Sequence, residues 1–425
     1  MSAARRVLIT SHSHPALSNG GAEIAAWRLL TALEALPGWE PWFMGCAREP
    51  GGRAGSAITQ PFGALPSGER QFLYNSASFD WFKFANGDAG YPRALTAVLR
   101  DVAPDILHFH HYAVFGVETF LHIRRALPDS RIVLTLHEYQ AICNHYGQMV
   151  TREKNMLCYG ASPRDCNKCY PEFSRTDFFL RRAYIMRFLD LVDHFISPSQ
   201  FLAERYIAWG VPAAKMSVIE NVTRAATADE AAATANPRVL RVGFFGQISY
   251  LKGINVLLDA AAILQDEAAT PGAAAEIQFE IHGDASNQPA EFQADFQQRI
   301  GQAGHNVHFH GAYDNQRVDQ LMCAVDAVLV PSIWWENSPV VIQECLRNRR
   351  PIVCSNIGGM AEKVRHGVDG WHFPMGNAVA LAALLKELAG KRDHLAAMAA
   401  GIRQPEAPEE TAMRHVALYE RLLAG

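Results

Sequence analysis

Short apolar runs closed by polar or glycine-containing turns alternate along this chain with longer stretches whose apolar residues recur three and four apart. The first pattern predicts buried strands and the second helices. Val7 to Thr10 is the first such run. A polar loop, Ser11 to Glu23, follows it, and then Ile24, Trp27, Leu30 and Leu33 at helical spacing. Asp105 to Phe109 and Arg131 to Leu136 are further strands, each running into histidine: His110 and His111 after one, His137 after the other. Asp177 to Ile196 predicts a helix with Phe178, Phe179, Tyr184 and Phe188 among Arg181, Arg182 and Arg187. Phe195 to Ser199 and then Val218 to Val222 close the first set of strands. Thr223 to Pro237 is rich in Ala, Thr and Asp and lacks apolar periodicity, which marks a boundary.

A second set opens at Val239 to Phe245. Gln278 to Ile281, Val307 to Phe309, Ala324 to Val330, Arg350 to Ser355 and Gly370 to Phe373 continue it, with helical stretches between. Strand and helix alternating in both halves predict an α/β protein of two doubly wound, Rossmann-like domains. The expected boundaries are 1–222 for the first domain, 223–238 for a linker, 239–405 for the second domain, and 406–425 for a last helix returning to the first. Gln71 to Tyr91 is crowded with aromatics. They predict a helix pair packed on the core or, alternatively, an exposed recognition surface.

Composition narrows the function classes. The chain has 425 residues, of which 49% are hydrophobic and 19% charged, so it can build globular cores. A formal net charge of -4 gives no broad attraction to nucleic acid. The opening residues are too poor in apolar side chains for a signal peptide, and no stretch is long enough to span a bilayer. The expectation is a cytoplasmic protein. The arginine and aromatic mixture of 177–196 is compatible with a peripheral contact at the inner face of the membrane.

The richest candidate chemistry lies at Trp334-Trp335-Glu336-Asn337-Ser338-Pro339-Val340-Val341-Ile342-Gln343-Glu344. It follows the apolar run that ends at Val330. Ser338 suits a helix N-cap and Pro339 the first helical position. Glu336 is then expected in a strand-to-helix loop and Glu344 on the second helical turn, at a carboxyl edge where open α/β sheets bind ligands. In Gly246-Gln247-Ile248-Ser249-Tyr250-Leu251-Lys252-Gly253, a lysine stands just before a helix, where it can meet phosphate as a point charge.

These motifs resemble the Glu-x7-Glu signature of the family-4 retaining glycosyltransferases, which have the GT-B fold of two Rossmann-like domains facing across a cleft. The resemblance covers nearly the whole chain and is most specific from Val242 to Phe373. It implies a transfer of a sugar from a UDP- or GDP-linked donor to a hydroxyl of a glycan, lipid-linked or small-molecule acceptor, with no catalytic metal. It also implies roles. Glu336 contacts the donor sugar, Glu344 the ribose, and Asn337, Ser338, Pro339 and Val340 the sugar and phosphate through the helix start. Lys252 holds the diphosphate. Gln247 stands where the family has arginine, so it donates a hydrogen bond but no charge. Gly20 and Gly21 match the Gly-Gly-x-Glu loop, and His137 matches a histidine near the reacting sugar. Competing expectations are a sugar-nucleotide epimerase of similar fold and a catalytically weak partner of another transferase.

Cys143, Cys158, Cys166 and Cys169 fall in a polar stretch that predicts a loop, about 143–170. Three readings remain open on spacing: a structural zinc site completing Cys166-x-x-Cys169, reduced thiols packed independently, or disulfides.

Overall fold

The computed structural model describes residues 4–17, 20–47, 62–64, 70–76, 78–225, 239–268 and 276–425. Most of the expected linker therefore lies outside the described residues. The chain divides into two compact units: Met1–Arg224 with Glu406–Gly425, and Ala225–Pro405.

In unit 1 the strands are β1 (Arg5–Thr10), β2 (Trp39–Ala47), β3 (Phe62–Ala64), β4 (Gln71–Asn75), a two-stranded hairpin of β5 (Phe79–Asp80) and β6 (Ala85–Asn86), β7 (Ile106–Phe109), β8 (Arg131–Thr135), β9 (His194–Ser197) and β10 (Met216–Val218). Apart from the hairpin they form one sheet in the order β10-β9-β8-β7-β1-β2-β4-β3. Every neighbour pair is parallel except β3 with β4. Val7, Leu8 and Ile9 are wholly buried, as expected of a strand covered on both faces. The order reverses at β1, between β2 and β7, which makes the carboxyl edge of β1 and β7 a topological switch point.

Unit 2 contains β11 (Val239–Phe245), β12 (Glu276–His282), β13 (Val307–Gly311), β14 (Ala327–Val330), β15 (Ile352–Ser355) and β16 (Gly370–Phe373). Its all-parallel sheet runs β13-β12-β11-β14-β15-β16, with the reversal between β11 and β14. One buried cluster joins Phe245 and Val330 to Ile342, Cys345 and Met360, so the strands and the helices that follow them share a core. Doubly wound α/β architecture is thus present in each unit.

Several local expectations are corrected. The aromatic stretch from Gln71 is not a helix pair. It is β4, paired with β2, followed by the hairpin, with a helix beginning only at Tyr91. Aromatic side chains suit a pleated surface, and Leu73 and Tyr74 are buried there while Gln71 is only partly so. The helix expected over 177–196 spans Arg175–Leu189, because Ser174 and Asp177 form a capping box one turn earlier than the apolar pattern. Of the apolar run 324–330, only Ala327–Val330 is strand. The last strand of unit 1 stops at Val218.

The helix Pro408–Ala424 packs into the core of unit 1, where Ala412, Leu418 and Tyr419 join Leu29, Leu33 and Ile106. Tyr419 shares a 2.5 Å hydrogen bond with Nδ1 of His108, whose Nε2 meets Thr135 at 2.6 Å. His415 lies beside them, its ring centroid 5.8 Å from that of His108. Burial holds His415 down at about 4 and His108 well below its ordinary value. Both imidazoles stay neutral when folded, whereas the unfolded chain binds their protons near pH 6.5. Their contribution is complete above that pH and falls as the pH drops toward about 4. Each group costs at most about 1.4 kcal/mol per pH unit. Urea unfolding followed by circular dichroism should therefore give a lower midpoint at pH 5 than at pH 7. Equal midpoints would contradict neutral buried imidazoles.

Candidate functional site

In unit 2 two loops meet at the carboxyl edge of the β11–β14 switch point. One runs from Gly246 to Gly253, between β11 and the helix Ile254–Ala268. The other runs from Pro331 to Pro339, between β14 and the helix Val340–Arg347. The Ile333 N–H donates to the Leu251 carbonyl at 2.9 Å, tying one loop to the other. Gly253 makes the approach feasible. Its φ is +74°, and a Cβ there would lie 1.9 Å from the Pro331 carbonyl oxygen. Gly359 closes the opposite side, with its N–H on the Glu336 carbonyl at 2.8 Å. A Cβ there would sit 1.6 Å from the Asn337 carbonyl oxygen.

The two loops bring Lys252 and Glu336 together. Lys252 Nζ lies 2.6 Å from Glu336 Oε1. The Ser332 hydroxyl and the Trp334 indole N–H donate to the same oxygen at 2.8 and 3.0 Å. Glu336 is 5% exposed, and a carboxylate so buried needs such hydrogen-bond partners. The Lys252 ammonium also stands 5.6 Å from the Trp334 ring centroid. Ser332 and Trp334 had no assigned role in the sequence. Their signal was only their closeness to Glu336, since which side chain folds back on it depends on the loop.

Glu344 lies on the second turn of the helix Val340–Arg347, as expected, and is half-buried between buried Gln343 and Cys345. Its charge helps raise the Tyr313 phenol and Cys345 thiol, after burial as the main cause. The cap is corrected by one residue: Pro339 is the N-cap, with extended backbone and no side-chain cap, and Val340 is the first helical residue. Asn337 and Ser338 lie half-buried in the preceding loop. Gln247 is exposed just beyond β11.

Gly20, Gly21 and His137 belong to unit 1. Gly20 is the N-cap of the helix Gly21–Glu34, and a Cβ on it would lie 2.4 Å from Oε2 of Glu23. His137 follows β8, with Nε2 at 2.9 Å from Nδ1 of His110. Burial, then the nearby His111, pushes His137 down to about 3. Held neutral, this imidazole carries no charge toward a phosphate near neutral pH and is only a weak proton acceptor.

Among the described residues no three or more His, Cys, Asp or Glu are placed to hold a metal ion together. Cys143, Cys166 and Cys169 are not disulfide-bonded in this structure. Burial pushes Cys143 and Cys166 up to about 11 and raises Cys158. The stretch is not all loop, since Cys166 and Cys169 sit on the helix Pro163–Cys169, capped by Ser162.

Known proteins give a consistent picture. Residues 19–224 match the family model described as Glycosyltransferase Family 4, and residues 239–391 match Glycosyl transferases group 1. The amylovoran biosynthesis glycosyltransferase AmsK of Erwinia amylovora is 29% identical over 199 residues, 45% of this chain and 46% of that protein. An alpha-D-kanosaminyltransferase of Streptomyces kanamyceticus is 27% identical over 133 residues, 31% of each chain. These matches span half or less of the curated relatives' length. Among solved structures, Anabaena HepE in complex with UDP-glucose superposes with a TM-score of 0.60 at 19% identity, covering 99% of this chain and 98% of that one. The sucrose-phosphate synthase of Thermosynechococcus elongatus gives 0.69 at 17% identity, covering 99% of each. At such identities the likeness establishes the fold, and that fold is GT-B.

The clamp makes Gly253→Ala a test of the site's geometry. The added methyl must displace the Pro331 carbonyl and adopt a left-handed conformation that costs roughly 1–2 kcal/mol. We expect a lower unfolding midpoint together with weakened ligand binding. Wild-type behaviour in both would show that the loops do not need the close approach.

Proposed function

The chain belongs to the glycosyltransferases, whose family models match both of its units, and on that premise we propose a retaining enzyme that moves a sugar from a nucleotide-diphosphate donor to an acceptor hydroxyl. The observation that carries the reading is the Lys252–Glu336 pair at the unit 2 switch point. An ammonium has three protons. One is engaged by Glu336, and the others suit the oxygens of a diphosphate. Charge grows on that leaving group as the glycosidic bond breaks, and a preplaced cation stabilises it. Glu336, fixed by three donors to one oxygen, would orient the sugar through hydroxyls meeting its carboxylate. Glu344 would take the ribose hydroxyls. Gln247, Asn337, Ser338, Pro339 and Val340 would line the phosphate and sugar.

A UDP-linked hexose is the donor we favour, supported by the UDP-glucose complex of the structural neighbour. A growing polysaccharide or its lipid-linked precursor is the acceptor we favour, supported by the relative in amylovoran biosynthesis. No described helix is long and apolar enough to cross a membrane. Unit 1 nevertheless exposes Tyr159 and Phe179 around a cavity of about 330 Å³ that Arg182 and Arg205 also line. That mixture supports peripheral contact with an anionic bilayer. Cosedimentation with phosphatidylglycerol vesicles but not with phosphatidylcholine vesicles is expected, and equal recovery with both would remove the membrane contact.

Incubation with a panel of sugar nucleotides should release nucleoside diphosphate slowly. Lys252→Ala should lower turnover more than donor binding, because the lysine acts chiefly in the transition state. Glu344→Ala should instead weaken nucleotide binding by about 1–3 kcal/mol, the range for losing a hydrogen bond to a charged group. Unchanged turnover in Lys252→Ala would refute the diphosphate assignment.

A further inference from the structure

The cavity in unit 1 is built from three separate places in the chain. Phe178, Arg181 and Arg182 line it from one face of the helix Arg175–Leu189. Arg205, Ala208 and Trp209 repeat that spacing on the helix Gln200–Trp209. The cysteine-rich stretch covers both faces with residues 159–163 and Cys166. The helix Gln200–Trp209 starts just beyond the carboxyl end of β9, and Ala208 and Trp209 lie about two turns further along it. The cavity therefore sits in the helical layer, apart from the β1–β7 switch point.

Its interior is apolar. Ile142, Met149, Phe178 and Trp209 are buried, whereas Tyr159 and Phe179 stay largely exposed beside it. Arg181, Arg182 and Arg205 stand among these side chains, and no Asp or Glu lines the cavity with them. Backbone oxygens hold all three. Arg181 is 3% exposed and donates to the carbonyls of Phe82, Ala141 and Gln140 at 2.7, 2.6 and 2.6 Å. Arg182 donates to the Trp209 carbonyl at 2.7 Å and Arg205 to the Tyr159 carbonyl at 2.8 Å. A carbonyl satisfies an N–H but carries no net charge. Burial pulls the Arg181 guanidinium below its ordinary value, as it does for a cation taken out of water.

These walls select a ligand class. A free sugar would meet an apolar interior without a carboxylate to receive its hydroxyls. Inorganic phosphate would leave the apolar wall uncovered, and a plain hydrocarbon would leave the arginines facing carbon. An anionic amphiphile satisfies both, and the planar fork of a guanidinium fits phosphate oxygens in pairs. The volume of about 330 Å³ is at the small end for ligand sites, which suits one chain and not two. We propose that this cavity binds one phosphorylated lipid, its chain against Ile142, Met149, Phe178 and Trp209 and its phosphate at Arg182 and Arg205. The site goes beyond a bilayer contact, because it takes a single lipid molecule from solution. A membrane phospholipid and the phosphorylated carrier of a lipid-linked acceptor share this chemistry.

The test is calorimetric titration of the full chain, without sugar nucleotide, with single-chain lipids below their micelle-forming concentrations. Farnesyl phosphate stands for the carrier and a short-chain lysophosphatidylglycerol for the phospholipid. One of them should bind saturably at one per chain, and the tighter of the two identifies the source. Farnesol should bind at least tenfold more weakly than farnesyl phosphate or the lysolipid, and inorganic phosphate more weakly still. Arg182→Gln and Arg205→Gln should each weaken the preferred lipid about tenfold, the loss expected for one charged hydrogen bond. Ala208 is exposed on its helix, so Ala208→Phe can narrow the cavity without disturbing the core. This variant should lose lipid binding while keeping the wild-type circular dichroism spectrum and the wild-type rate of nucleoside-diphosphate release. Absence of binding by both lipids, farnesol binding as tightly as the lipid phosphates, or undiminished binding in Arg205→Gln and Ala208→Phe would each overturn the site. Because binding is read without a donor, none of these outcomes bears on the transferase reading.

Discussion

The convergence of an ammonium, a hydroxyl and an indole N–H on one oxygen of Glu336 is the constraint around which unit 2 is arranged. A nearly buried carboxylate is stable only when its charge is met by partners of fixed geometry. Those partners come from two loops that leave adjacent parallel strands, and the loops approach only because Gly253 and Gly359 carry no side chain. Beneath them the shared cluster of Phe245, Val330, Ile342, Cys345 and Met360 keeps strands and helices in register. The site is thus rigid for the same reason that the fold is: the backbone approach that closes the core also sets the charged pair.

Much of this was legible in the sequence, because it depends on local order. A strand ending at Val330, a loop holding Glu336 and a helix carrying Glu344 follow from apolar runs and a proline. Lys252 before Gly253 follows from the same logic. What escaped was set by neighbours distant in the chain. The aromatics from Phe72 to Tyr91 have no periodicity that separates a helix from a strand, and pairing with β2 decided it. The cap at Pro339 in place of Ser338 reflects a loop held from outside by Gly359. The contacts of Glu23 with His12 and of His111 with Glu138 join residues on different elements, so no spacing rule could reveal them.

The two switch points carry different chemistry on the same architecture. Unit 2 places a cation beside a carboxylate, a combination suited to a charged leaving group. Unit 1 gathers imidazoles, several of them held neutral by burial, next to the buried Glu23 and the partly exposed Glu138. Neutral imidazoles interact by direction and not by charge.

The helix Pro408–Ala424 supplies core side chains to unit 1 although all of unit 2 separates it from the rest of that unit in the chain. This has a consequence for the order of events during synthesis. Unit 2 is one continuous segment and has all of its residues before Glu406 is added. Unit 1 begins first but lacks Ala412, Leu418 and Tyr419 until the ribosome has translated through unit 2. Domains ordinarily mature from the N-terminal side as they emerge. Here the connectivity implies the reverse, with the second unit finishing first and the first waiting on its closing helix.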